Sequence, residues 1–195
     1  MEAVQQRSKS KMLQQFRNSI CDCQNCPLSK TRKSFVFGSG NPNAELLFIG
    51  EAPGEQEDLE GEPFIGKAGQ LLTNIITAMY LNRDDVYICN IVKCRPPNNR
   101  NPELDEIKRC LPYLKKQIRI VRPKVICLLG KVAIQAMLKD TNSISSLRGT
   151  IFYLGKIPTI VTYHPAALLR NPGWKSKVWD DMKLVRSQLD GRKLI

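Results

Sequence analysis

A lone histidine, a short acidic turn and a set of cysteines carry most of the chemistry open to this chain. His164 is the only histidine among 195 residues. It sits in Tyr163-His164-Pro165-Ala166-Ala167-Leu168-Leu169-Arg170-Asn171-Pro172, directly after the apolar run Ile157-Pro158-Thr159-Ile160-Val161-Thr162. Gly50-Glu51-Ala52-Pro53-Gly54 follows a second apolar run, Ala44-Glu45-Leu46-Leu47-Phe48-Ile49. Each run reads as a buried strand, and the glycine and proline after the second force a sharp turn at its end. Ligand sites of open α/β sheets lie outside the carboxyl ends of strands. An imidazole and a carboxylate at two such ends predict one cleft between them. Asn90, in the otherwise apolar Val86–Val92 run, adds a side-chain amide that offers a donor and an acceptor together.

The seven cysteines form a second constellation. Cys23-x-x-Cys26, with Cys94 and Cys110, offers four thiolates from two regions of the chain. In a reducing compartment such thiolates bind zinc or iron–sulfur clusters. Spacing does not separate the two, although the Cys94 to Cys110 interval is wider than the second pair of an ordinary zinc ribbon. Cys21, two residues from Cys23, is a spare that competes with it as a ligand. Cys89 and Cys127 lie inside apolar strands and read as small buried hydrophobes.

These groups need a scaffold, and hydrophobic periodicity supplies one. A helix over 3–20 carries Met12, Leu13 and Phe16 on one face. Strands are expected at about 45–50, 86–92, 125–129 and 157–162, with a polar loop after the first leading through Gly54, Gly61 and Pro63 to Phe64. Helices are expected over 67–80, over 102–120 with Asn101 as cap and Pro102 as opener, from Gly130 to Lys139, and over 174–189 with Val178, Met182, Val185 and Leu189 inward. Strands alternating with helices imply an α/β protein whose mostly parallel sheet is covered on both faces. With no repeat, low-complexity tract or linker, residues 1–195 read as a single domain.

The net charge of +12 points to a polyanionic partner, nucleic acid first. The charge is uneven. Glu51, Glu55, Glu57, Asp58, Glu60 and Glu62 make the first motif acidic, while Lys93, Arg95, Arg100, Lys108, Arg109 and their neighbours make the middle basic. A basic surface around a locally acidic site suits a protein that grips phosphates and stabilises a cation in its pocket. The N-terminus, Met1–Arg7, lacks a signal peptide's apolar core and no run is long enough to span a membrane, so a cytoplasmic protein is expected. Nothing requires more than a monomer.

Read together, Gly50–Gly54, Gly61-Glu62-Pro63-Phe64-Ile65-Gly66-Lys67-Ala68-Gly69-Gln70-Leu71-Leu72, Asn90-Ile91-Val92-Lys93-Cys94-Arg95-Pro96-Pro97 and His164–Leu169 resemble the family 4 uracil-DNA glycosylases, in order and in spacing, from about Cys23 to the last helix. The resemblance implies a three-layer α/β/α fold around a four-stranded parallel sheet. It implies a 4Fe-4S cluster on Cys23, Cys26, Cys94 and Cys110, which staples segment 1–30 to the rest and does no redox work, since hydrolysis needs no electrons. The implied activity is monofunctional: deoxyuridine is flipped out of single- or double-stranded DNA and its N-glycosidic bond hydrolysed, leaving an abasic site. His164 would stabilise charge developing on uracil O2, and Glu51 would face the sugar cation or order the attacking water. Asn90 would read uracil O4 and N3–H, Phe64 would stack on the base, and Gly50, Glu51 and Ala52 would line the pyrimidine.

In another glycosylase family an aspartate stands where this chain has Ala52, which leaves open whether Glu51, or Glu55, Glu57 or Asp58, orients the water. Leu168 and Leu169 form an expected wedge for the gap left by the base, at least one of the two being core, with Arg170 near phosphate. Lys93, Arg95, Arg100, Lys175 and Lys177 are further phosphate candidates. The competing readings are a relative that traps uracil-DNA covalently through its histidine and a non-catalytic DNA-binding module. The first carries an extra basic loop before its histidine, where this chain runs from Pro158 straight into His164.

Overall fold

The computed structural model describes the backbone of residues 2–191 and the side chains of residues 8–191. Met1 and residues 192–195 of the expected single domain, and the side chains of the Met1–Arg7 segment, lie outside the described residues. In chain order the elements are α1 (Glu2–Ile20), β1 (Ser39–Gly40), β2 (Leu46–Gly50), α2 (Glu55–Glu60), α3 (Lys67–Ala78), β3 (Tyr87–Asn90), α4 (Leu104–Val121), β4 (Val125–Leu129), α5 (Lys131–Leu138), α6 (Ile144–Leu147), β5 (Ile151–Leu154), β6 (Ile157–Thr162), α7 (Pro165–Arg170) and α8 (Lys175–Leu189).

Among the described residues the sheet has six strands in the order β1-β3-β2-β4-β6-β5. The four apolar runs form its inner part and pair in parallel, Gly50 beside Asn90 and Leu128 beside Val161. The expected four-stranded parallel sheet is therefore extended by two antiparallel edges, β1 on β3 and β5 on β6. The first edge strand, β1, is two residues long and meets β3 from a distant part of the chain, so no local pattern announces it. The other, β5, is the half-buried apolar run Ile151-Phe152-Tyr153-Leu154, turned back onto β6 through Gly155-Lys156.

Strand alternation divides the core. Leu47, Ile49, Cys89, Ile126, Leu128 and Val161 face α1, α4 and α5. Leu46, Phe48, Ile88, Cys127, Leu129 and Ile160 face α3, α7 and α8. Two faces buried under helices give the three-layer arrangement. On α1 the buried stripe is Leu13, Phe16 and Ile20, whereas Met12, expected inward, is 46% exposed; the i, i+3, i+7 spacing selects the former. The helix expected from Pro102 begins at Leu104, where the Glu106 carboxylate accepts the Glu103 N–H at 2.7 Å and takes over the capping expected of Asn101. The polar loop before Phe64 contains the short helix α2.

Connections leave β2 toward β3 on one side and β4 toward β6 on the other. This topological switch opens a crevice at the carboxyl ends of the inner strands. Gly50, Asn90, Leu129 and Thr162 are the last residues of those four strands.

Candidate active site

A cleft of about 490 Å³ occupies this crevice, lined by Glu51, Ala52, Phe64, Asn90, His164 and Arg170 among others. The expected imidazole, amide, carboxylate and aromatic ring are thus brought to one place from four separate segments.

His164 follows β6 and caps α7: its Nδ1 accepts the Ala166 N–H at 3.2 Å. An accepting Nδ1 carries no proton, so the neutral ring holds its proton on Nε2. Burial holds the imidazole pKa down at about 4, with Arg170 adding to the fall and Glu57 opposing it. At neutral pH the cleft therefore contains a neutral imidazole with one donor. Gly130, at φ +88°, makes room for it; a Cβ there would lie 2.9 Å from the His164 Cβ. The strand behind is anchored by Thr162 Oγ1 donating to Asp181 at 2.5 Å, and Asp181 is also paired to Arg148 at 2.7 Å. Tyr163 stacks on Trp174 at 4.4 Å.

Asn90 ends β3 and is 1% exposed. Its Oδ1 is buried with no hydrogen-bond partner among the described residues. Buried polar groups are almost always satisfied, so an orphaned acceptor on a residue that lines a cleft is a demand for a ligand donor. Gly50 stands behind this group and does not line the cleft. A Cβ at Gly50 would fall 2.4 Å from Phe64 Cζ and 2.5 Å from Asn90 Oδ1, so its role is clearance.

Phe64 is buried, with its ring 5.4 Å from the His164 ring. Its backbone has φ +55°, a conformation few non-glycine residues adopt and one that costs on the order of 1–3 kcal/mol. Two features hold it. The Glu57 carboxylate accepts N–H groups from Gly54, Ile65 and Gly66 at 3.1, 3.0 and 2.9 Å. Gly69 lets α3 meet the Phe64 backbone, where a Cβ would lie 1.9 Å from the Phe64 carbonyl carbon.

The acids divide sharply. Glu57 is committed to that loop, and Asp58, 2% exposed, accepts the Lys33 and Ser34 N–H groups at 2.9 and 3.2 Å. Glu55 is exposed and pairs with Arg95 at 3.6 Å. Glu51 lines the cleft, and burial pushes its carboxyl pKa up.

Of the expected DNA-facing residues, Leu168 is 1% exposed and belongs to the core under α3 and α8, which removes it from any surface role. Leu169 is 48% exposed and Arg170 lines the cleft. Helical geometry sends successive side chains in different directions, so only one of the pair can face outward. Lys93, expected at phosphate, is wholly buried. Arg100 is held bidentately by Glu106 at 2.9 and 2.7 Å. Pro96, Asn99, Arg100 and Asn101 also line the cleft; of these Arg100 was expected at a phosphate, and Asn99, in a turn with Asn98 and itself at positive φ, is an addition that the Pro-Pro-Asn-Asn turn signature could have supplied.

Cys23, Cys26, Cys94 and Cys110 line one small pocket together with Arg32 and Tyr113. Arg32 donates to Cys94 Sγ at 3.1 Å and to the Cys23 and Cys21 carbonyls at 2.9 and 3.0 Å. The Tyr113 hydroxyl is hydrogen-bonded to Cys23 Sγ at 3.2 Å. Burial raises the thiol pKa of Cys94 and pushes that of Cys110 up to about 12. Cys21 is outside this pocket and its thiol turns to the Asn18 carbonyl. Among the described residues no three His, Cys, Asp or Glu side chains stand close enough to hold a single metal ion. Cys89 and Cys127 are buried in β3 and β4, as their apolar context implied.

A mixed, doubly covered sheet with a neutral imidazole and an unpaired amide at the carboxyl edge of its parallel strands defines the class, and the family model described as "Uracil DNA glycosylase superfamily" matches residues 37–183. The chain belongs to that superfamily. Within it, the chain is 46% identical over 186 residues to the type-4 uracil-DNA glycosylase of Saccharolobus solfataricus, covering 91% of this chain and 86% of that protein. It is 42% identical over 182 residues to the type-4 enzyme of Archaeoglobus fulgidus, covering 89% and 91%. The type-4 enzyme of Sulfurisphaera tokodaii is 46% identical over 183 residues, covering 89% and 83%. These matches place the chain with the type-4 members. Among the described residues no helix is long and apolar enough to cross a membrane.

Proposed function

We propose that this protein excises uracil from DNA by hydrolysing the N-glycosidic bond of a flipped deoxyuridine, leaving an abasic site. The observation that carries the reading is the pair formed by His164 and Asn90. A neutral imidazole with its donor on Nε2 and a buried carboxamide with an unsatisfied Oδ1 line the same cleft. Uracil presents an acceptor at O2, a donor at N3 and an acceptor at O4. The Asn90 Oδ1 accepts from N3–H, its amide N–H donates to O4, and His164 donates to O2.

Breaking the C1′–N1 bond sends electrons into the base, and the anion that forms is stabilised most where charge gathers on O2. Preorganised donors of this kind are worth about 10²–10³ in rate each. A neutral imidazole suits the task, because its donor strengthens as the oxygen charges and no proton need be lost from solution. The sugar meanwhile gains positive charge. Glu51 is the acid lining the cleft that the backbone has not claimed, and we assign it to the cation and to the water that adds at C1′. Phe64, fixed by Glu57 and Gly69, offers its ring to the base. Leu169 would fill the gap in the stack, with Arg170 at a phosphate. The covalent-trapping and purely binding readings gain no support from the comparisons, whose type-4 relatives are named as glycosylases.

The four pocket cysteines would hold a 4Fe-4S cluster. Support comes from the donor set, four thiols beside a guanidinium and a hydroxyl that can donate to sulfur. When bound, the cluster supplies a covalent cross-link between the segment after α1 and the Cys94–Cys110 region.

The test is incubation of the purified protein with oligonucleotides containing one uracil, followed by alkali. Cleavage at the uracil by wild type, its loss in His164→Ala and a strong drop in Asn90→Ala are expected. Full release by both variants would overturn the assignment. Iron and sulfide analysis with visible absorption tests the cluster, and a colourless protein carrying zinc would refute it.

A further inference from the structure

Lys93 is a charged side chain placed wholly in the interior, 0% exposed. Its ammonium donates to the Asn90 carbonyl oxygen at 2.9 Å. Among the described residues no carboxylate stands within 4.0 Å of it. Buried charges persist where they are paired or fully bonded, and an ammonium has three donors to place. Its charge acts on the thiols of Cys89 and Cys110, lowering the pKa of each against the rise that burial causes. Cys89 is sealed inside β3, where burial keeps its thiol protonated. Cys110 lines the cysteine pocket, as does Cys94, the next residue in the chain. The negative charge this lysine requires can therefore come from the group that the four cysteines bind, and an iron–sulfur cube on four thiolates is anionic.

The same segment reaches the base-reading site. Ile91 and Val92 donate N–H groups to the Gly50 and Glu51 carbonyls at 3.0 and 3.2 Å, so the stretch from Asn90 to Cys94 is zipped to the acidic turn. Asn90 lines the cleft and carries the orphaned amide oxygen, while its main-chain carbonyl accepts from the Lys93 ammonium.

We propose that Lys93 is the counter-ion of the cluster and the positioning residue that ties it to Asn90, so that loading of the cysteine site fixes the amide that reads uracil. This rests on the iron–sulfur reading above. Lys93 touches neither base nor sugar; it acts through Asn90.

The experiment compares wild type with Lys93→Met and Lys93→Arg, purified without oxygen. The readouts are iron content, the reduction potential of the cluster and the affinity for free uracil. Removing a positive charge beside an anionic cluster disfavours its reduced form. Lys93→Met is expected to shift the potential to more negative values, to lose iron faster to a chelator and to bind uracil more weakly, while Lys93→Arg keeps a potential close to wild type. A Lys93→Met protein with wild-type potential, iron retention and uracil affinity would overturn the inference and leave the cluster assignment standing. A wild-type protein without iron would overturn the assignment and the inference together. Should Lys93→Met not accumulate as folded protein, reductive methylation of wild type decides. Lys93 protected with iron and labelled after its removal supports the inference; Lys93 equally labelled, or equally protected, in both states overturns it.

Discussion

The lone histidine makes one prediction unusually clean. Burial lowers the His164 pKa from the usual 6.5 to about 4. In the unfolded chain the ring would titrate near its ordinary value. As pH falls from 6.5 toward 4, the unfolded state takes up a proton that the native state refuses, so stability is lost across this window and levels off below it. The difference of about 2.5 units corresponds to about 3 kcal/mol at 1.36 kcal/mol per unit. Glu51 runs the other way: burial raises its carboxyl pKa, so the native state binds that proton first and gains stability as pH falls. The histidine's share is therefore read as the difference between wild type and His164→Gln, from denaturant melts at pH 7, 5.5 and 4. Wild type should lose about 3 kcal/mol relative to the variant. Because the chain has a single histidine, nitrogen-15 NMR of the imidazole reads the native titration without assignment. A midpoint near 4 and an Nε2–H tautomer are expected. A midpoint near 6.5, or a proton on Nδ1, would refute the neutral-donor reasoning.

Three further outcomes are expected. Asn90→Leu should cut uracil release by about 100- to 1000-fold without lowering the melting temperature, because it removes a buried acceptor that has no partner among the described residues; single-turnover assays and thermal melts check the two halves. Gly50→Ala places a methyl 2.4 Å from the Phe64 ring and 2.5 Å from Asn90 Oδ1. It should cost about 1–3 kcal/mol of stability and most of the activity, as measured by melts and uracil release. Leu168→Ala and Leu169→Ala should separate core from wedge: the first, 1% exposed, loses about 2–5 kcal/mol, while the second melts within about 0.5 kcal/mol of wild type and slows release from duplex more than from single-stranded substrate.

Much of the scaffold was legible because its signal is local. The four inner strands are continuous apolar runs, and their buried faces alternate as strand geometry requires. The helices at α3, α5 and α8 follow their hydrophobic spacing. The two-residue bridge β1 carries no periodicity of its own, whereas β5 was legible as the apolar run Ile151–Leu154 before the Gly155-Lys156 turn and was not among the expected strands. The chemical residues were legible by type and place: one histidine, one asparagine in an apolar strand, one acidic turn. Their division of labour was not. Nothing in the spacing of Glu51, Glu55, Glu57 and Asp58 shows that two of them are consumed by backbone N–H groups. Nor does Lys93, in a basic stretch, announce that it is buried.

The chemical inventory and the strand ends that carry it are readable from short segments, because burial pattern and turn residues are local properties. Which groups remain free is a result of packing. Desolvation of His164, the orphaned oxygen of Asn90, the clearance at Gly50 and the burial of Leu168 and Lys93 all arise where segments distant in the chain exclude water from one another.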